Sequence, residues 1–332
     1  MRNILLKIVV AILAMGATAG WSQTSTGTIV GTITDTSGAV VAGAKVTVTN
    51  SGTAARIQVS TNAEGGYTAP LLPPGAYSLH VEAAGFKAVD QTGIRLEVQQ
   101  QARIDVALQV GAVSESVQVT ADAAVVEATS SSIGKVVDNK RIAELPLNTR
   151  NVYTLVNLTP GLAGSIGNAH NGVSFSVNGT RGGTFDVLVD GSSGAFPTVN
   201  GFTGVSVFPS VDAVAEFKLQ AQNFPAEFGR SMGPVLNLVY KSGANEYHGS
   251  AFEFLRNSVL DANNFFSNQR GVALASFKRN QFGGSVSGPI RHNKLFFLFA
   301  YESLRERSFS STTTTVPTAL ERTGDFSQTR SS

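Results

Sequence analysis

Apolar and polar positions alternate with a period of two in short runs from about residue 27 to residue 110. The runs 28–34, 44–48, 56–60, 77–83 and 104–110 carry the rhythm of strands with one buried face. Turn formers stand between them: Asp35-Thr36-Ser37-Gly38, Asn62-Ala63-Glu64-Gly65-Gly66 and Pro73-Pro74-Gly75, where Gly tolerates positive φ and Pro presets the bend. Strands at this spacing predict a small β-sandwich over residues 24–112. The rhythm is then lost, and residues 111–134, rich in Ala, Ser and Val, read as a linker with one short β-prone run.

Two short amphipathic helices are predicted next. Asp138 caps one that runs through Leu145 and is stopped by Pro146; Val152, Leu155 and Val156 mark another, stopped at Thr159-Pro160. The runs 173–180, 184–191, 215–222 and 233–243 read as four strands, so residues 124–243 are expected to form an α+β unit. Its segments 161–171 and 192–204 read as Gly/Ser/Asn loops, where binding groups tend to sit.

Beyond Tyr247 the strands lengthen. In 281–290, Phe282, Gly284, Val286 and Ile290 share one face, and Gln281, Gly283, Ser285 and Ser287 the other, the apolar-out, polar-in order of a membrane barrel. Phe252 and Phe254 share a face opposite Ala251 and Glu253, whereas 294–302 is apolar on both faces, as a strand covered on both sides is.

The amino terminus follows a different logic. Arg2 and Lys7 accompany an apolar run from Ile8 to Met15 and the small-x-small triplet Ala17-Thr18-Ala19, the pattern of a secretory signal peptide over residues 1–23. A membrane anchor needs about 18 or more unbroken apolar residues, and this run is shorter. The 332 residues suffice for two or three domains. A charged fraction of 14% with 34 glycines suits a turn-rich β protein, and a formal net charge of +2 offers no basic stripe for nucleic acid. With no cysteine in an exported chain, stability rests on cores and sheets.

Candidate chemistry is sparse. Gly229-Arg230-Ser231-Met232-Gly233 matches the Gly-x-Ser-x-Gly pentad of serine hydrolases, with His248 or His292 as available bases. The pentad needs a strand-turn-helix elbow, yet Pro234 and the alternating 235–239 predict a strand after it. His80, His170, His248 and His292 lack the spacing of a zinc site, and Asp190-Gly191 lacks the acidic series of a calcium loop. No catalytic residue, metal or cofactor is expected. Tyr67, Tyr77 and Phe86 are weighed as carbohydrate-stacking platforms against the simpler reading as sandwich core, which aromatics without a neighbouring Trp favour.

Several separated motifs carry a family resemblance. GTITDTSGAVVAGAKVTVTN with TNAEGGYTAPLLPPGAYSLHVEAAGF resembles the carboxypeptidase regulatory-like domain, a transthyretin-like sandwich grouped with starch-binding-like folds. PLNTRNVYTLVNLTPGL, FSVNGTRGGTFDVLVDG, the stretch 210–266, FKRNQFGGSVSGPIRHNKLFFLFAYESLRER and VPTALERTGDFS resemble the Oar-like TonB-dependent outer-membrane receptors. The resemblance implies a mainly β chain: an N-terminal transthyretin/Ig-like sandwich, a linker over 113–123, an α+β plug over 124–243, and over 244–332 the first strands of a 22-stranded outer-membrane barrel.

The same resemblance assigns roles. Glu227, Phe228, Gly229, Arg230, Lys241, Ser242 and Gly243 become plug signatures, with the glycines letting plug backbone approach the wall. Glu115, Ser116, Val117, Gln118 and Val119 become the candidate TonB box, an extended segment that adds to a sheet edge of the inner-membrane TonB complex; the alternatives are a last sandwich strand or plain linker. Implied partners are that complex, outer-membrane lipid and a substrate of the saccharide or peptide class, with the sandwich and plug in the periplasm. A closed barrel of this class needs on the order of 22 spans of about 10 residues. Three are visible, so the chain is expected to be truncated and not transport-competent alone, because an open sheet edge in hydrocarbon leaves backbone groups unbonded. The other function considered is an exported carbohydrate- or surface-binding sandwich.

Overall fold

The computed structural model describes residues 25–111, 116–120, 133–145, 147, 150–165, 174–197, 203–224, 228, 231–309 and 316–328. The expected signal peptide lies outside them. In the N-terminal module the alternation becomes nine strands: β1 (Gly27–Asp35), β2 (Lys45–Asn50), β3 (Arg56–Ser60), β4 (Gly66–Leu72), β5 (Gly75–Glu82), β6 (Ala88–Leu96), β7 (Gln101–Arg103), β8 (Val106–Leu108) and β9 (Ser116–Thr120). One sheet has the order β4-β1-β7, with β8 also on β1; the other has the order β3-β2-β5-β6-β9.

The two sheets share one apolar core, to which β1 gives Ile29 and Ile33, β2 Val46 and Val48, β5 Leu79 and Val81, and β6 Ile94 and Leu96. Alternate residues of β1 are buried, the expected outcome of a pleat with one face on a core. Three strands exceed the sequence expectation. In β4, Pro70 and the positive φ of Leu71 mask the pattern; in β6, Gly93 at φ 82° and a register shift opposite 77–79 do so; β7 is only three residues long. The expected run 104–110 contracts to β8.

The second module opens with β10 (Ile133–Asp138), where a linker and bare cap were expected, followed by α1 (Asn139–Glu144). Asp138 caps α1 as expected, its carboxylate accepting from the Arg141 N–H at 2.9 Å. The second expected helix is a 3₁₀ helix, Val152–Leu158, capped by Asn151; its β-branched residues and closing proline disfavour a longer α-helix. Six short strands and two longer ones follow: β11 (Leu162–Ser165), β12 (Ser174–Val177), β13 (Asp186–Val189), β14 (Ser192–Ser193), β15 (Ala195–Pro197), β16 (Thr203–Val205), a 3₁₀ turn Val211–Ala213, β17 (Val214–Gln222) and β18 (Val235–Tyr240). The segments read as loops thus contain β11 and β14 to β16.

The main sheet has the order β10-β17-β18-β13-β14; β11-β12 and β15-β16 are separate pairs. Ile142, Tyr153, Leu155 and Val156 pack on Phe217, Leu219, Leu236 and Leu238 in a second core that shares no residue with the first.

Three long strands, β19 (His248–Asn257), β20 (Phe277–Arg291) and β21 (Leu295–Ser308), pair in that order, with α2 (Phe265–Gln269) before β20 and α3 (Ala319–Arg322) after β21. The chain partitions into two compact units, Met1–Ser250 with Ser285–Ala300, and Ala251–Gly284 with Tyr301–Ser332. On β20 the soluble-protein rule is inverted: Gln281 and Ser287 are buried while Val286 and Ile290 are exposed. Within the second unit the Gln281 amide donates to the Glu302 carboxylate, and Arg279 lies 3.9 Å from Glu306. Among the described residues no helix is long and apolar enough to cross a membrane, which leaves strands out of account.

Gly31 of β1 tests the sheet packing. A Cβ there would stand 1.8 Å from the Ile104 carbonyl oxygen, a backbone atom, whereas one on Gly38 would meet nothing within 4 Å but would sit at φ +87°. Urea titration is expected to give a loss of about 3 kcal/mol for Gly31→Ala and about 1 kcal/mol for Gly38→Ala.

Candidate functional site

The segment proposed from sequence as an extended docking peptide is β9. It pairs in parallel with β6, with Val89 opposite Val117 and Asp90 opposite Gln118, and it ends its sheet. Val117 packs on the rim of the N-terminal core. The alternative of a last sandwich strand therefore describes Ser116, Val117, Gln118 and Val119 in this conformation; Glu115 lies outside the described residues. An edge strand is held by one ladder only, and its other backbone groups are a template for a further strand.

Of the second motif group, Glu227, Gly229 and Arg230 lie outside the described residues, and Phe228 is half-buried. Lys241, Ser242 and Gly243 lead from β18 towards β19. The Lys241 N–H donates to the Ala213 carbonyl at 2.8 Å, and burial holds the Lys241 ammonium below its ordinary pKa, against the pull of Asp212. A Cβ on Gly243 would stand 2.6 Å from the Phe297 carbonyl oxygen and 2.7 Å from that of Gly288. Only a residue without a side chain fits between β20 and β21 at that point. Asp212 ties the same corner together: Arg150 donates to one carboxylate oxygen, and the Ser250 hydroxyl, 3.0 Å from that of Ser285, donates to the other.

Sequence reasoning missed the most organised polar cluster. Glu216, Lys218 and Gln220 alternate along β17, with Asn237 opposite Lys218 on β18. They make the face of the sheet that turns away from the core residues Phe217 and Leu219, and all four are buried. The N-terminal module covers them. Glu216 Oε2 accepts from the Val98 N–H at 2.8 Å, Lys218 Nζ donates to the Val98 and Gln99 carbonyls at 3.2 and 3.4 Å, and the Ser25 hydroxyl donates to Asn237 Oδ1 at 3.0 Å. Arg95 lies 3.9 Å from Glu216. Burial raises the Glu216 carboxyl above the ordinary carboxylate pKa, against the Val98 N–H, Arg95 and Lys218. Gln99 Oε1, Gln220 Oε1 and Asn237 Nδ2 are buried with no protein hydrogen-bond partner, at about 1–3 kcal/mol each. The legible signal was the period of two in 215–222; it shows a polar face but not that another module lies on it.

The remaining candidates resolve into structure. The Ser231 hydroxyl donates to the Thr184 carbonyl and accepts from the Gly233 N–H at 3.0 Å, and the strand after the pentad is β18, so no elbow lifts Ser231 towards a base. Tyr67 and Tyr77 are 4% and 2% exposed, and their hydroxyls donate to the Ile104 and Pro73 carbonyls. That corrects their candidacy as sugar platforms: each ring fills core. Phe86 is partly buried against the same core. Among the described residues no group of three or more His, Cys, Asp or Glu could hold a metal. Asp190 closes a turn by accepting from the Tyr240 N–H at 3.0 Å, and burial raises its pKa.

Comparison with known proteins follows this geometry. The family described as Outer membrane beta barrel domain matches residues 239–332, and the Carboxypeptidase regulatory-like domain matches residues 28–109. The TonB-dependent transporter Oar of Myxococcus xanthus is 30% identical over 308 residues, 89% of this chain and 28% of the relative. The chain thus spans under a third of the length of that relative. Among solved structures, the siderophore receptor PirA from Acinetobacter baumannii is 21% identical, covering 52% of this chain and 24% of its own at a TM-score of 0.38. The outer membrane transporter YddB from Escherichia coli is 15% identical, covering 46% and 25% at a TM-score of 0.35.

Two measurements check this assignment. His80 Nε2 lies 3.0 Å from Glu82 Oε1 and its Nδ1 lies 2.6 Å from Asp90 Oδ1. Hydrogen bonding to Glu82, then to Asp90, raises its pKa above 6.5 despite partial burial. A folded-state pKa above the unfolded value contributes stability that is complete below the unfolded pKa and lost as pH rises through the folded one. His80→Gln is expected to remove that loss from the pH–stability curve of the chain, with the His80 titration followed by NMR. Ser231→Ala is expected to lower stability by about 1 kcal/mol and to leave ester hydrolysis at the background rate, as read with a chromogenic ester.

Proposed function

We propose that this chain, 30% identical over 308 residues to the TonB-dependent transporter Oar, supplies the N-terminal sandwich, the plug and the first wall strands of an Oar-type outer-membrane receptor. The matched relative Oar is a TonB-dependent transporter, and the match of residues 239–332 to an outer membrane beta barrel domain supports a place in the outer membrane. The observation that carries the reading is the inverted order of β20: apolar Val286 and Ile290 face outward, and polar Gln281 and Ser287 are buried. That order suits strands with lipid outside and a polar interior, and it is unfavourable for a strand in water.

In this reading residues 24–112 form a periplasmic sandwich, 124–243 the plug and 244–332 the opening of the wall. Gly243 is the point at which the stopper's backbone meets the wall, and the crowding by Phe297 and Gly288 supports it. A closed barrel of this class needs about 22 spans, and energised uptake belongs to a receptor whose barrel is closed. The inner-membrane TonB complex is the partner, engaging residues 115–121 by strand addition.

The reading is tested by capture on an immobilised C-terminal domain of TonB. The chain is expected to bind, and Val117→Pro, which removes a backbone donor from the ladder, is expected to weaken binding at least tenfold while circular dichroism retains the β signal. Equal binding by both chains, or none by either, removes residues 115–121 as the docking segment.

A further inference from the structure

The contact between the N-terminal module and the second module differs in kind from everything that holds each module together. Each has its own closed apolar core. The hydrogen bonds between them join the outer face of β17 and β18 on one side to Ser25 and the turn 97–100 on the other, and Val98, Val235 and Val239 are buried outside either core, the last two on the Asn237 face of β18. Undocking would bare Glu216, Lys218, Gln220 and Asn237 to water, which solvates them well, together with the side chains of Val98, Val235 and Val239 rather than either core.

Glu216 and Lys218 stand two apart on β17, so their side chains leave the sheet on the same side. Together they bracket a single residue. Glu216 accepts from the N–H of Val98, and Lys218 donates to its carbonyl and to that of Gln99, whose φ of 55° presents both carbonyls to one ammonium. The grip is on backbone, set by the shape of the turn. The closed contact is also incompletely satisfied, because Gln99 Oε1, Gln220 Oε1 and Asn237 Nδ2 are buried without a protein partner.

We propose that the outer face of β17 and β18 is a reversible docking seat for the N-terminal module, latched by the Glu216–Lys218 fork on the Val98 peptide, and that the two modules open there as whole bodies with their cores intact. The partner the seat fits is a tight backbone turn with one left-handed residue, here 97–100.

Hydrogen exchange on the full chain reads this directly. The amides of 97–100 are expected to exchange at least a hundredfold faster than those of β5 and β17, which report the two cores. Glu216→Gln and Lys218→Met are each expected to accelerate 97–100 a further tenfold or more, with β5 unchanged. The chain has no cysteine of its own, so Ser25→Cys with Asn237→Cys, joined by a short bis-maleimide, gives a tethered form in which the acceleration is expected to disappear. Exchange at 97–100 as slow as in the cores overturns the proposal. So does acceleration that extends equally into β5 and β17, or that survives the tether, since each would mean loss of fold rather than undocking.

Discussion

Two apolar cores, each closed on itself, decide how the rest of the first unit is built. Once Ile29, Val48 and Leu79 are covered within the N-terminal module, and Tyr153, Phe217 and Leu238 within the second, the buried valines Val98, Val235 and Val239 stand outside either core. Hydrogen bonds and charge then orient the junction: the Val98 peptide lies between Glu216 and Lys218. A buried, paired and hydrogen-bonded contact of this kind contributes orientation more than net stability, because desolvation of the two charged groups offsets most of their attraction.

The long strands obey the opposite constraint. Gln281 and Ser287 are buried while Val286 and Ile290 are not, and the polar side of β20 is organised by the Gln281–Glu302 bond in the second unit. A period of two is the same in any sheet; the side on which the polar residues are buried distinguishes a wall in lipid from a sheet in water. At Gly243 the Phe297 and Gly288 carbonyls leave no room for a Cβ.

Legibility in the sequence followed the range of the interaction. The Asp138 cap was readable because the capped N–H is three residues away, and β3 was readable to the residue because turn formers flank it. The alternation of 281–290 was readable as a two-faced strand, and the burial of Gln281 and Ser287 with Val286 and Ile290 exposed follows it. β10 was not readable: its partner, Phe217 to Val137 by register, lies eighty residues on, and Gly134 and Asp138 weaken its local strand signal. β17 was found as a strand but its polar face was open to a solvent reading, since Glu216 and Lys218 look the same whether water or Val98 satisfies them. Ser231 illustrates the converse, a motif whose spacing was right and whose following strand denied it.

The position of β9 connects these threads. Its hold on β6 consists of one parallel ladder over five residues with Val117 at the core rim. Parallel pairing is slightly weaker per residue than antiparallel pairing, and the ladder uses backbone groups that any exposed sheet edge can match. Transfer of this segment to a partner's edge would exchange one set of backbone hydrogen bonds for another, leaving the partial burial of Val117 as the main local term against it. The fork on Val98 acts on a separate turn of the same module. A pull on β9 would therefore load β6 first and reach the fork through Arg95 and Leu96 at the end of that strand, so the ladder and the latch lie in series along one element.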